Sequence, residues 1–308
     1  STGMNPFINA QGYATTGMFS VAIGAIANLI LDPVFIFVFG LGIRGAAIAT
    51  VLSQILSAAF VLYFLRKKTE LKVRLLSEEE IRDCGRRAKN IISLGTAGFI
   101  MQLTNSLVTI CCNNVLSVTG GDLYISVMTI VSSIRQIIDT PIHAITEGSS
   151  PVISYNYGAR RPKRVFQSWL TMSVMAILYT LLAWGVILFA PRFLIGIFSS
   201  DQALITDAIP ALKLYFGAFV FQALQYVGQT MFKSLGKKKF AIFFSLLRKV
   251  IIVVPLTYIL PYLFHMGSDG VFLAEPVSNV LGGSACFIVM LCTVMPELKQ
   301  MAKEISDH

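Results

Sequence analysis

The chain has 308 residues, of which 55% are hydrophobic and 13% are charged, and its formal net charge is +9. A soluble domain of this length cannot bury so much apolar surface, so the composition excludes a soluble globular protein and indicates a membrane protein. The excess positive charge does not indicate nucleic-acid binding, because the basic residues are concentrated in alternate loops between apolar segments.

Eight apolar segments are long enough to cross a bilayer as helices, since about 20 residues rising 1.5 Å each span a hydrocarbon core of about 30 Å. They lie approximately at residues 17–39, 46–65, 90–117, 123–147, 165–190, 207–232, 240–263 and 271–294. We therefore predict an all-α membrane protein with about eight transmembrane helices.

The basic residues predict how these helices are oriented. Three basic clusters, at residues 66–89, 160–164 and 233–249, follow the second, fourth and sixth apolar segments. The intervening loops carry only Arg44 and Arg192. Because cytoplasmic loops are enriched in lysine and arginine, this alternation predicts a multi-pass protein with both ends in the cytoplasm.

One acidic residue, Asp32, lies near the middle of the apolar stretch 17–43. A charge at membrane depth costs about 3 kcal/mol or more, so it is seldom retained without a function. Asn28 lies one helical turn earlier on the same face, and Pro33 removes a backbone donor and frees the carbonyl of Leu29. These oxygen atoms suit a hard cation or a proton, so we expect the protein to move ions. The alternative is that Asp32 pairs with another helix for structural reasons.

The first and last pairs of apolar segments share a pattern at an offset of about 225 residues. Gly42, Gly45, Ala49 and Ser53 correspond to Gly267, Gly270, Ala274 and Ser278. Both pairs run in the same direction, which predicts a parallel repeat and a bundle of two lobes. If each lobe has six helices, the chain holds the last two helices of the first lobe and all of the second. We therefore expect about four further spans ahead of Ser1.

The repeat also predicts the domain organisation. Residues 1–65 form the end of the first lobe, residues 66–89 a cytoplasmic linker, residues 90–294 the second lobe, and residues 295–308 a cytoplasmic tail.

The second lobe has its own charged residues within apolar segments. Arg135 and Asp139 are four residues apart and share a helix face, so they form either a structural ion pair or a substrate contact. Glu275 occupies the repeat position of Thr50 and could face a cavity of the second lobe.

Segments 28–37 and 42–50 resemble the fifth and sixth helices of the multidrug and toxic compound extrusion (MATE) transporters, and segment 147–159 is similar to the end of the family's eighth helix. The resemblance implies a secondary transporter rather than an enzyme: an antiporter, driven by Na+ or H+, that exports organic and often cationic drugs. It implies the bacterial cytoplasmic membrane, a monomer in contact with lipid, no cofactor besides the coupling ion, and no nucleic-acid partner.

The resemblance also implies the binding residues. The cation site of one branch of the family falls on Asn5, Asn28, Asp32 and Thr50. A further aspartate, on the family's first helix, has no counterpart here, since helices one to three and most of four are expected ahead of Ser1. Another branch carries acidic residues on its seventh and tenth helices, where this chain has neutral amides, which argues against a second coupling site. Candidate substrate contacts are Gln102, Asn105, Arg135, Asp139, Gln222 and Glu275.

The alternative function is a flippase for lipid-linked oligosaccharides of the same superfamily. Such a protein is expected to line its cavity with several cationic residues that bind diphosphate groups. Arg135 is the only clear candidate for that role in the sequence. A membrane-embedded enzyme is less well supported, because no catalytic motif is recognised.

Overall fold

The computed structural model describes residues 3–68 and 78–306, with only part of the side chains before residue 102 in the helix that begins at Glu78. Every regular element in these ranges is helical, which confirms the predicted all-α fold. The chain divides into two compact units, Ser1–Arg87 and Ala88–His308, which we call the first and the second unit.

The first unit contains α1 (Asn5–Ala10), α2 (Ala14–Pro33) and α3 (Gly42–Lys67), and α2 continues as a π-helix over Val34–Val38. Small residues line the contact between α2 and α3. The Ser57 hydroxyl donates to the backbone carbonyl of Ser20 at 2.7 Å, one turn before Gly24. Small side chains let two helices approach closely where lipid gives no hydrophobic driving force between them.

The helix α4 covers Glu78–Thr119, and all later helices belong to the second unit. These are α5 (Gly121–Gly158), α6 (Pro162–Phe189), α7 (Pro191–Gly196), α8 (Gln202–Tyr215), α9 (Phe219–Ser234), α10 (Lys238–Leu246), α11 (Val254–Tyr262), α12 (Gly267–Ser278) and α13 (Ser284–Ser306). The π-helix Leu247–Val253 joins α10 to α11, and the π-helix Asn279–Gly283 joins α12 to α13.

Each of the eight predicted spans corresponds to a helix or a helix pair. Among the described residues, six helical segments are long and apolar enough to cross a membrane, or seven if the bent pair α8 and α9 is one span. That pair replaces the continuous helix expected at 207–232 and bends by 50° at the break. The remaining predicted span, 123–147, lies within the 38-residue helix α5, which carries Arg135 and Asp139.

Two hydrophobic cores fill the second unit, and several stretches of the chain pass from one core to the other. At each of four crossings, the last buried residue of one core is followed by the first of the other. These pairs are Ile142 and Ile153, Phe219 and Ala223, Phe244 and Val253, and Phe272 and Cys286. The helix break between α8 and α9 and both π-helices of this unit fall in or beside these intervals. Departures from α-helical geometry often mark functional positions, so a polar site is expected in the intervals between the two cores.

Local geometry at the repeat positions matches between the two units. Gly42 and Gly267 both have positive φ angles, 53° and 56°, and each begins a helix. Ser53 and Ser278 are both buried, and each hydroxyl lies within hydrogen-bond distance of the backbone carbonyl three residues earlier, at 3.2 Å and 2.7 Å, although Ser53 is closer to the Ala49 carbonyl at 2.5 Å. The carbonyls three residues earlier belong to Thr50 and Glu275, the pair that the sequence repeat aligns.

Candidate functional site

In the first unit, α2 and α3 bring three of the predicted ligand residues together. The Asn28 amide nitrogen donates to Asp32 Oδ1 at 3.1 Å and lies 3.5 Å from Thr50 Oγ1. The Thr50 hydroxyl donates to the Ala46 carbonyl at 2.9 Å. Asn28 and Asp32 are half-buried and Thr50 is exposed. A carboxylate, an amide and a hydroxyl therefore face one another across two helices.

Asp32 lies closer to the end of its helix than the sequence suggested. The candidate span Ala14–Val38 has 25 residues, and Asp32 is the nineteenth of them (32 − 14 + 1). At 1.5 Å per residue, the backbone of Asp32 lies about 9 Å before the end of the helix at Val38. The expected position near the middle is wrong, because the helix begins before residue 17 and ends at Val38, short of residue 43.

The fourth predicted ligand, Asn5, is engaged elsewhere. Its amide nitrogen donates to the Gly17 carbonyl at 2.9 Å and to Ser20 Oγ at 2.7 Å. Ser20 precedes Asn28 by eight residues, which corresponds to about 12 Å along α2. The structure therefore does not bring the Asn5 amide to the Asp32 carboxylate.

The second unit holds a larger buried network centred on Glu275. Its Oε1 atom lies 2.7 Å from Arg135 Nη2, 3.1 Å from Arg248 Nη1 and 3.1 Å from Lys249 Nζ. The Glu275 side chain is 5% exposed. A carboxylate this deeply buried needs such partners, because removing it from water without them is very costly.

Asp139 is the second acid of this network and lies at its more accessible edge. Its carboxylate accepts from Arg135 Nε at 3.2 Å, from Gln222 Nε2 at 3.2 and 3.3 Å, and from the Tyr226 hydroxyl at 3.3 Å. Arg135 also donates to the Tyr215 hydroxyl. The predicted contact residues Arg135, Asp139, Gln222 and Glu275 thus form one cluster, which joins α5, α8, α9 and α12.

Sequence reasoning missed Arg248 and Lys249, which it counted among the cytoplasmic basic clusters. Both side chains are buried, and Arg248 also donates to the Asn279 side-chain oxygen. Arg248 lies ten residues after Lys238, about 15 Å along the span Lys238–Tyr262. Their position inside the predicted apolar segment 240–263 was the signal that could have placed them. The statement that Arg135 is the only cationic candidate is therefore wrong.

The remaining predicted contacts, Gln102 and Asn105, are exposed on α4. No described hydrogen bond or ion pair joins their side chains to the charged network. A separate groove of about 330 Å³ lies beside the α8–α9 bend, between Gly217 and the α12 residues Pro276 and Val277. Its lining is apolar apart from Lys213.

The two sites differ in what they can bind. The ion pairs of the network around Glu275 and Asp139 join three basic and two acidic side chains, so with ordinary charge states this network has an excess of one positive charge. In the first unit, no ion pair involves Asp32 among the residues that the structure describes. Across that same part of the chain, no group of three or more His, Cys, Asp or Glu side chains could hold a metal ion.

The fold and the buried charges define a multi-pass, all-helical membrane protein. The sequence profile of the MatE family matches residues 97–259, more than half of the chain. The chain belongs to the MatE family, which confirms the resemblance to MATE transporters.

Several known proteins resemble the chain over most of its length. The multidrug export proteins MepA of Staphylococcus saprophyticus and of Staphylococcus aureus strain NCTC 8325 are each 24% identical over 290 residues. These matches cover 93% of this chain and 62% of each relative, so the chain spans less than two thirds of their length.

Solved structures establish the fold. An outward-facing multidrug resistance MATE transporter of the MOP superfamily gives a TM-score of 0.83 at 24% identity, covering 97% of this chain and 66% of that one. A MOP superfamily transporter from Pyrococcus furiosus, described as having a binding pocket of reverse polarity that suggests a different function, gives a TM-score of 0.81 at 24% identity, covering 94% of this chain and 64% of that one.

Proposed function

We propose that the protein is a secondary active transporter that exchanges Na+ or H+ for organic, often cationic, drugs by alternating access. In this proposal it lies in the bacterial cytoplasmic membrane as a monomer with both ends in the cytoplasm. The observation that carries the proposal is the Asp32 carboxylate, which lies in an apolar helix, accepts a hydrogen bond from Asn28 and has no described basic partner. The same Asn28 amide lies 3.5 Å from Thr50 Oγ1. The names of the MepA and MATE relatives support the export of drugs.

An acid without a basic partner favours a bound cation or proton, because either one compensates the buried charge. The Asn28 amide now presents nitrogen to Asp32 and Thr50. Rotating this amide would present its oxygen instead, and three side-chain oxygens would then surround a cation. Asn5 could join them only after leaving Gly17 and Ser20, so Asn28, Asp32 and Thr50 form the core of the proposed site.

Coupling follows from the same charge. Neutralising Asp32 changes which packing of the surrounding helices is favoured and so shifts the balance between conformations. An inward-moving cation gains about 2.3 kcal/mol per 100 mV of membrane potential, which can drive the exchange without ATP. In the second unit, Arg135, Asp139, Gln222 and Glu275 are proposed substrate contacts within one network, and Gln102 and Asn105 are proposed contacts on the exposed face of α4.

The flippase is supported by the two additional buried cations, Arg248 and Lys249. However, Glu275 and Asp139 balance two of the three positive charges, which leaves little to bind a diphosphate. The antiporter therefore remains the better-supported function.

The test uses the purified chain, reconstituted in lipid vesicles, and its Asp32→Asn variant. We expect wild-type vesicles to bind radioactive Na+, or to take up protons. With an imposed gradient of that cation, we expect them to move tetraphenylphosphonium in the direction opposite to the cation. Asp32→Asn removes the ionisable oxygen and should reduce both activities at least about tenfold. Asp122→Asn, an exposed acid at the start of α5, is the matched control and should behave as wild type. Unchanged binding and transport in Asp32→Asn would refute the proposal.

A further inference from the structure

The network of the second unit has an unbalanced charge. With ordinary charge states, Arg135, Arg248 and Lys249 supply three positive charges, whereas Asp139 and Glu275 supply two negative ones, a difference of one (3 − 2). Because the side chains of these five residues are between 5% and 15% exposed, water compensates the excess only weakly. One additional negative charge would neutralise the network.

A second observation indicates unused hydrogen-bonding capacity. Among the described atoms, Arg248 Nε is buried and has no hydrogen-bond partner. The aliphatic part of the Arg248 side chain packs tightly against Gly282, since a Cβ added to that glycine would lie 2.9 Å from Arg248 Cγ. A buried donor without a partner is costly, so the site favours an additional acceptor or a rearrangement that supplies one.

The edge of the network is where a ligand can reach it. Arg135 and Asp139 have side chains 15% and 12% exposed, against 5–8% for the other three charged residues. His143 lies one turn further along α5, is exposed, and has its ring 4.7 Å from that of Tyr226. Two aromatic rings therefore flank the accessible side of the network.

Asp139 is also the partner that Arg135 can most easily exchange. A single contact of 3.2 Å joins them, whereas Glu275 is held at 2.7 Å by the same guanidinium. Asp139 does not depend on Arg135 alone, since Gln222 and the Tyr226 hydroxyl also donate to its carboxylate. A carboxylate from outside can thus occupy the freed guanidinium edge without leaving Asp139 unpaired.

We infer that this cluster binds the carboxylate group of an anionic or zwitterionic organic compound at Arg135, beside the rings of Tyr226 and His143. The bound ligand brings the count to three positive and three negative charges. The inference rests on the proposed export function only in calling such a compound a transported substrate. Binding itself does not involve Asp32 or a cation gradient, so either proposal can fail while the other stands.

The experiment titrates the purified chain in detergent with benzoate, following heat by calorimetry, with benzamide as the uncharged probe of the same shape. Lys249→Gln removes the excess positive charge and should weaken benzoate binding about tenfold. Asp139→Asn raises the excess from one positive charge to two and should strengthen benzoate binding about tenfold. Lys239→Gln, at an exposed lysine, is the control and should leave binding unchanged.

The opposite effects separate a binding site from a structural network, because loss of packing would weaken binding in both variants. Circular dichroism verifies that each variant is folded, and Lys249→Met replaces the glutamine variant if that one does not fold. The inference is overturned if benzamide binds as tightly as benzoate, if wild type binds neither, or if Lys249 and Asp139 variants shift benzoate affinity in the same direction or not at all.

Discussion

Thr50 in the first unit and Glu275 in the second occupy equivalent positions of one repeat, yet their surroundings have opposite electrostatics. The Thr50 hydroxyl shares the Asn28 amide with the half-buried Asp32, whose carboxylate has no basic partner among the described residues. Glu275 itself carries the carboxylate, which forms ion pairs with three basic side chains. Equivalent repeat positions therefore lie beside an acid without a described basic partner in one unit and carry an acid paired with three basic side chains in the other.

This difference separates two uses of buried charge. An acid that is already paired contributes to structure, and removing it leaves its partners uncompensated. An acid without a basic partner contributes little to packing and is available for a ligand. The comparison thus predicts that loss of the Glu275 carboxylate lowers stability, whereas loss of the Asp32 carboxylate chiefly affects ligand binding.

The largest effect is expected for Glu275→Ala. The substitution leaves Arg135, Arg248 and Lys249 with Asp139 as their only described acidic partner, and breaking a buried pair in this way costs about 3–5 kcal/mol. The measurement is the free energy of unfolding of the purified chain, from titration with dodecyl sulfate in mixed micelles followed by circular dichroism.

The control for this measurement is Glu304→Ala, an exposed acid near the end of α13 whose loss should change the unfolding free energy by less than about 0.5 kcal/mol. Similar small changes in both variants would show that the three cations do not depend on Glu275, and the contrast between the two units would be lost.

An intermediate effect is expected at the repeat glycines, where the two units should behave alike. A Cβ added to Gly45 would lie 2.6 Å from the Phe35 carbonyl oxygen, and one added to Gly270 would lie 2.8 Å from the Pro261 nitrogen. Because backbone atoms cannot easily move aside, Gly45→Ala and Gly270→Ala should each lower the unfolding free energy by about 1–3 kcal/mol.

Gly185→Ala is the matched control, since no described atom lies within 4 Å of the added Cβ in α6. Its unfolding free energy should stay close to that of wild type or rise slightly, because alanine favours a helix. If only one of the two repeat glycines proves sensitive, the units share a sequence pattern but not the packing that it implies.

Much of the fold could be predicted because hydropathy and length alone fix a membrane helix. Hydropathy averaged over a whole span does not reveal local departures from α-helical geometry. No pattern indicated the π-helices after Pro33, Leu246 and Ser278, or the break between α8 and α9. These depend on neighbouring helices, which a single segment of sequence does not contain.

The sites show the same limit. Asn28 and Asp32 could be paired from their spacing, because residues four apart share a helix face. Arg248 and Lys249 were misplaced because they were counted with the basic residues of the preceding turn, although they lie inside the apolar segment, and their acid partner Glu275 is 26 or more residues away. Asn5 was assigned by resemblance, and its hydrogen bonds to Gly17 and Ser20 come from packing that the sequence does not encode locally.

The smallest effect on stability is expected for Asp32→Asn, which isolates the difference between the units. Without Na+ at neutral pH, this nearly isosteric change should alter the unfolding free energy by less than about 0.5 kcal/mol, since no described ion pair is broken. Adding Na+ at about one hundred times its dissociation constant should stabilise the wild-type chain by about 2.7 kcal/mol if Na+ is the coupling ion, and should not stabilise the variant. A large loss of stability without Na+ would mean that Asp32 is a structural acid like Glu275, and the distinction between the two acids would not hold.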